Sequence, residues 1–193
     1  MDIAYDSASG DRKGCGITPG VTVELYSVTG YGVTVSVTVE KRVVPRGSDD
    51  LLEQAWDLKE RIRAEHGLLR QRHGFFANAY RRATVYAYVT PDDDLVGFAA
   101  ARHDGYILFL AVDPAYQGEG FGERLVAAVA EDADSVSCHA RVSNANALDF
   151  YRHLGFEIVR EIENYYEDGE TAYYLRIGER EGIREKLSEY LRR

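Results

Sequence analysis

The chain is poor in the residues that mark secreted, metal-binding or membrane-embedded proteins. Its two cysteines, Cys15 and Cys138, stand far apart and lack metal-ligand spacing, so they read as free, reduced thiols. Five histidines are scattered at 66, 73, 103, 139 and 153 without a His-x-x-x-His pair, and no metal is expected. No apolar run is long enough to span a bilayer, and the opening MDIAYDSASG has neither the basic start nor the apolar segment of a secretory signal. A soluble, cytoplasmic protein is the expectation. Positive charge is scarce too. A net charge of −9 argues against a nucleic-acid partner, because phosphate binding needs clustered cations. Only four lysines (Lys13, Lys41, Lys59, Lys186) accompany nineteen arginines and acidic runs such as Asp92 to Asp94. That balance is halophile-like, suited to a salt-rich cytoplasm where an anionic surface keeps a protein soluble; a GC-rich genome is the plainer source.

What is present suits one domain with an appendage, long enough at 193 residues to bury a core. Residues 1–20 are Gly, Ser, Asp and Lys/Arg-rich without a period, and read as loosely ordered. Alternating valines then predict a hairpin, with strands over 21–26 and 33–39. Residues 1–40 thus form an N-terminal extension, 41–180 the main domain and 181–193 a terminal helix. Ser48 and Asp49 are candidate caps for a helix carrying Leu51, Ala55, Leu58 and Ile62, and a shorter helix runs from Phe75 to Arg82. Between them, His66, Arg70, Arg72 and His73 form either a substrate wall or a solvated face. Strands follow over 83–89, 95–102 and 106–112, then a helix, a strand over 135–141, a helix through Ala147, Phe150, Tyr151 and Leu154, and strands over 156–162 and 171–177. The order is mixed α/β, with helices on both faces of one central sheet and one parallel βαβ crossover joining the 106 and 135 strands.

The stretch LAVDPAYQGEGFG, from Leu110 to Gly122, carries the strongest chemical signal. A strand ends at Val112, and Gln117, Gly118, Gly120 and Gly122 lead directly into a helix. Glycines let several N–H groups converge, and the helix start adds its positive dipole end, so a phosphate is held without a lysine. The lysine of the nucleotide-triphosphate loop is missing, and the dinucleotide pattern needs its glycines elsewhere.

Gln117, Gly118, Glu119, Gly120, Phe121 and Gly122 match the Gln/Arg-x-x-Gly-x-Gly/Ala loop of the GCN5-related N-acetyltransferases (GNAT), and residues 41–177 resemble that family in element order. SNANALDFYRHLGFEI, from Ser143 to Ile158, and Asn164, Tyr165, Tyr166 with Asp168, Gly169 and Glu170 are similar to protein N-terminal acetyltransferases of the RimI and NatE type. The resemblance implies the GNAT fold and acetyl transfer from acetyl-coenzyme A to an amine. Leu110, Ala111 and Val112 would offer backbone groups to the pantetheine arm and the loop its N–H groups to the pyrophosphate, while Asn144 matches a cofactor-contacting asparagine. His139 and Tyr106 match a pair that orders a water for deprotonation, and Tyr151 matches the acid facing the thioester sulfur. Tyr165 and Tyr166 would line the peptide entrance, with His73 on the substrate wall.

The sequence departs from relatives at Gly118, where many have a basic residue. Gln71 to His73 also lack the apolar side chains of a methionine pocket. A protein α-amino terminus is the expected acceptor; a lysine side chain, a small amine, or a catalytically silent acyl-coenzyme A binding module are the alternatives. Contact with a ribosome, or with a second copy through an edge strand, is the further partner expectation.

Overall fold

The computed structural model describes residues 22–30, 33–66 and 71–178. The expectations for residues 1–20 and for a helix over 181–193 lie outside them, as do residues 67–70 of the supposed substrate wall. The elements run β1 (Thr22–Gly30), β2 (Val33–Val44), α1 (Leu52–His66), α2 (His73–Arg82), β3 (Thr84–Val89), β4 (Leu95–Ala101) and β5 (Ile107–Val112). A 3-10 turn (Pro114–Tyr116) follows, then α3 (Phe121–Asp132), β6 (Val136–Arg141), α4 (Ala145–His153), β7 (Glu157–Ile162) and β8 (Ala172–Ile177).

Strands β1 to β5 form one antiparallel sheet in sequence order, so the N-terminal hairpin extends the sheet through β2. Alternation along β3 sends its side chains to two cores. Val85, Ala87 and Val89 pack under α1 and α2 with Phe76 and Tyr80, while Tyr86 and Tyr88 pack against Leu125 and Val129 of α3. With both faces covered, β4 is buried along its whole length and reads LVGFAAA, a run that an exposed strand face would interrupt with polar residues. Asp49, an expected helix cap, instead pairs with Arg81 at the end of α2, and Ser48 Oγ accepts the Asp50 N–H ahead of α1.

The single central sheet is corrected to two. Strands β6, β8 and β7 form a separate antiparallel sheet in that order, and the expected parallel neighbours meet at one bridge, Tyr106 to Ser137. Gly105 explains why they meet there. Its φ is +77°, and a Cβ at this position would fall 2.0 Å from the Ser135 carbonyl oxygen. Its own carbonyl accepts the Ser137 N–H at 3.1 Å. The two backbones therefore touch where only glycine fits. Beyond the bridge they part, and Leu110 of β5 with Ala147 and Tyr151 of α4 line the gap. Among the described residues no strand pairs with the second edge of β5 there. No described helix is long and apolar enough to cross a membrane.

Candidate active site

The gap holds two cavities that share Leu110, Asn144, Ala147 and Tyr151. The larger, about 780 Å³, runs along the glycine loop and the start of α3. None of the described residues lining it carries a positive charge. Gly118 and Gly120 have φ of +84° and +81°, and a Cβ on either would point into open space. Left-handed geometry at both lets the loop present backbone rather than side chains. The first N–H groups of α3 have no carbonyl within the helix to meet. This cradle fits a diphosphate group, and its continuation to Leu110 fits an extended arm along the open edge of β5.

The structure sorts the loop residues by task. Gln117 Nε2 donates back to the Val112 carbonyl at 3.3 Å, bracing the loop against its strand. Phe121 is buried, its ring 5.4 Å from Tyr88 and 6.0 Å from Tyr116, so its side chain anchors the helix and only its backbone is offered to the cavity. Gly122 lies where a Cβ would come within 3.0 Å of the Phe150 ring, which keeps α3 and α4 close. Ala111 and Val112 line the same space from β5. Asn144 Oδ1 caps α4 by accepting the Ala147 N–H at 3.1 Å, and the residue borders both cavities.

The smaller cavity, about 150 Å³, is lined by residues of β5, β6 and α4 and of the stretches before α2, before α4 and between β7 and β8. Tyr106 and His139 meet beside it, Oη to Nδ1 at 2.6 Å, as the Gly105 contact requires of residues flanking the bridge. Tyr165 stacks on the His139 ring at 4.4 Å and 17°, and Tyr166 stands edge-on to Tyr165. Burial, then the Arg160 charge, lowers the His139 pKa, so its neutral imidazole prevails at neutral pH. Burial, then a hydrogen bond with Tyr165, pushes Tyr106 far up and keeps its phenol protonated. His139 Nε2 is buried with no partner among the described residues. Tyr151, on the shared wall, has its pKa raised by burial and its hydroxyl hydrogen-bonded to the Cys138 thiol, which burial pushes up to about 12.

Sequence reasoning placed His73 on the substrate wall, and the structure corrects this. Its ring packs edge-on against Trp56 at 4.9 Å and its Nε2 faces Glu53 at 3.5 Å, so α2 turns it away and Gln71 lines the cavity instead. Arg141 was not anticipated. It lies over the Tyr166 ring at 3.9 Å, reaches Asp168 at 2.8 Å and pairs with Glu170. Glu170 also accepts the Ser143 N–H, so one clamp ties the β7–β8 loop to the start of α4. A basic residue two positions after His139 on one strand, with Asp168 and Glu170 in the hairpin facing it, was the available signal. Gly105, between the 95–102 and 106–112 strands, had none beyond being a glycine.

The Acetyltransferase (GNAT) family model matches residues 48–156, and the chain belongs to that family. An N-alpha-acetyltransferase of Sulfurisphaera tokodaii is 35% identical over 77 residues, 37% of this chain and 46% of that protein. The chain spans 30% to 59% of the length of three curated relatives, this one among them. In fold, the ribosomal-protein-S18-alanine N-acetyltransferase of Escherichia coli matches with a TM-score of 0.58 at 23% identity, over 71% of this chain and 92% of that one. Arabidopsis thaliana Naa50, solved with the bisubstrate analogue CoA-Ac-MVNAL, matches with a TM-score of 0.55 at 24% identity, over 72% and 98%.

Proposed function

We propose that this chain is an acetyl-coenzyme A dependent N-acetyltransferase acting on the α-amino terminus of proteins or peptides. The observation that carries the reading is the wall of Leu110, Ala147 and Tyr151, common to a cavity along the glycine loop and to one beside the Tyr106–His139 pair. Two reactants entering from opposite sides would meet there in a fixed orientation. The similar N-alpha-acetyltransferase and the neighbour bound to a peptide-like analogue support the acceptor.

Gly118, Gly120 and the first turn of α3 would hold the diphosphate of the cofactor, and the free edge of β5 its arm. When bound, acetyl-coenzyme A supplies an activated acyl group. The protein's part is proton handling. An α-amino group has a pKa near ~8, so at neutral pH a modest acceptor suffices to take its proton. Where Nδ1 of His139 carries the proton and donates to the Tyr106 oxygen, Nε2 keeps a lone pair in the small cavity. Tyr106 and the stacked Tyr165 then fix the ring. Tyr151 keeps its own proton on the phenolic oxygen at the wall where a departing thiolate needs one.

The test is release of free coenzyme A in low and high potassium chloride. The amines offered are free-terminus peptides, the same peptides blocked at the terminus with a lysine inside, and a polyamine. Release driven by free termini alone is the expected result. Release driven by the blocked, lysine-bearing peptide or the polyamine would move the acceptor to those amines. Cofactor binding with no release would leave a silent binding module.

A further inference from the structure

Two buried polar atoms in the small cavity's walls have no hydrogen-bond partner among the described residues, Nε2 of His139 and Oε1 of Gln71. Buried polar atoms are ordinarily paired, and those that are not need a reason. The mechanism above uses the first of them and leaves the second unexplained. Gln71 sits immediately ahead of α2 and lines the same cavity as the β6 residues His139 and Arg141. Other polar groups in the lining already have partners: Arg141 pairs with Asp168 and Glu170, Asn144 Oδ1 accepts the Ala147 N–H, and the Tyr151 hydroxyl bonds the Cys138 thiol. A polar group left without a partner where its polar neighbours are paired reads orientation and identity, because a ligand that fails to pair it leaves it desolvated and unsatisfied.

We infer that Gln71 is a specificity residue that selects a hydroxyl-bearing first residue, serine or threonine, in the peptide whose amino group meets His139. This rests on the amino-terminal reading given above. A hydroxyl both donates and accepts, so it satisfies the Gln71 amide whichever way the amide is turned. Size agrees. A space of about 150 Å³ holds roughly five waters at ~30 Å³ each, enough for a serine or threonine side chain. A site built to pair a substrate hydroxyl discriminates against the isostere that lacks it more sharply than an apolar pocket discriminates by a methyl group.

The experiment compares peptides identical except at the first residue, threonine against its near-isostere valine, with serine, alanine and methionine alongside. Wild type and Gln71→Leu are assayed for kcat/KM. Binding of the threonine and valine peptides to the coenzyme A-loaded protein is measured by calorimetry. The inference predicts a Thr/Val ratio of about tenfold in wild type, in kcat/KM and in affinity, collapsing towards one in Gln71→Leu. Equal use of threonine and valine peptides by wild type, or a ratio unchanged in Gln71→Leu, would overturn it while leaving the amino-terminal reading standing. Turnover of none of the free-terminus peptides would overturn both. Gln71→Asn, which keeps the amide on a shorter arm, retains part of the ratio if the hydrogen bond is the cause and behaves as Gln71→Leu if only bulk matters, the second result counting against the inference.

Discussion

The two cavities that meet at Leu110, Ala147 and Tyr151 are made of different material. The larger one offers backbone at its glycine loop, with Gly118 and Gly120 in left-handed geometry and no cationic side chain among its described residues. The smaller one offers side chains, brought from the stretch before α2, from β5, β6 and α4, and from the β7–β8 loop. Backbone recognition suits a ligand that never changes, and it is written in one short stretch of sequence. Side-chain recognition can be altered one residue at a time, and its parts are dispersed. The difference predicts that variants on one side leave the other side's ligand untouched.

The largest effect is expected where both sides depend on one residue. Gly105→Ala puts a methyl group 2.0 Å from the Ser135 carbonyl oxygen at a φ of +77°. The β5–β6 junction must move, and the expected loss is more than ~3 kcal/mol of stability, read by chemical denaturation. An unchanged midpoint would show that the bridge is not what brings Tyr106 to His139.

Next is the backbone side alone. Gly120→Glu combines an unfavourable φ of +81° with a carboxylate in an anion cradle, and cofactor affinity should fall at least ~100-fold. Gly120→Ala isolates the conformational part and should cost about tenfold. Peptide affinity of the cofactor-free protein should stay the same in both, and a parallel loss there would merge the two regions into one.

On the side-chain side, Arg141→Met releases Asp168, Glu170 and the face of Tyr166. The peptide KM should rise about tenfold, with kcat less affected and cofactor affinity unchanged. The smallest effect is one of pH. Since burial and Arg160 lower the His139 pKa, His139 stays neutral below its ordinary ~6.5. The acid limb of kcat/KM should therefore follow the α-amino group, near ~8, and His139→Gln should not move its position. The same lowering means that the unfolded chain binds a proton at His139 more readily than the folded one. Its stabilising contribution is present above ~6.5 and lost as the pH falls through the lower folded value, a small downward step in unfolding midpoint on acidification.

This contrast in material also decides what the sequence made legible. The glycine loop stood out because its residues are contiguous and each is chosen for backbone geometry. The α/β order was legible from period and turn residues, and β4, buried on both faces, declared itself by its unbroken apolar run. Tyr106, His139, Tyr165 and Tyr166 were found through resemblance, and the structure brings these four together; their spacing along the chain carries no hint of that. His73 was misassigned because two neighbours in sequence, Gln71 and His73, fall on different sides of the α2 start. Arg141 was missed because a strand arginine facing solvent and one clamping a loop look alike in sequence. The separation of the sheet into two escaped notice because it follows from one glycine and the side chains that fill the gap beyond it.

The most direct test measures two constants on His139→Ala and Tyr106→Phe, turnover with a free-terminus peptide and the dissociation constant for acetyl-coenzyme A. Turnover should fall about 100-fold in His139→Ala, less in Tyr106→Phe, with the dissociation constant within twofold of wild type in both. Wild-type turnover in His139→Ala, or loss of cofactor binding together with turnover in a variant that still folds, would contradict the account.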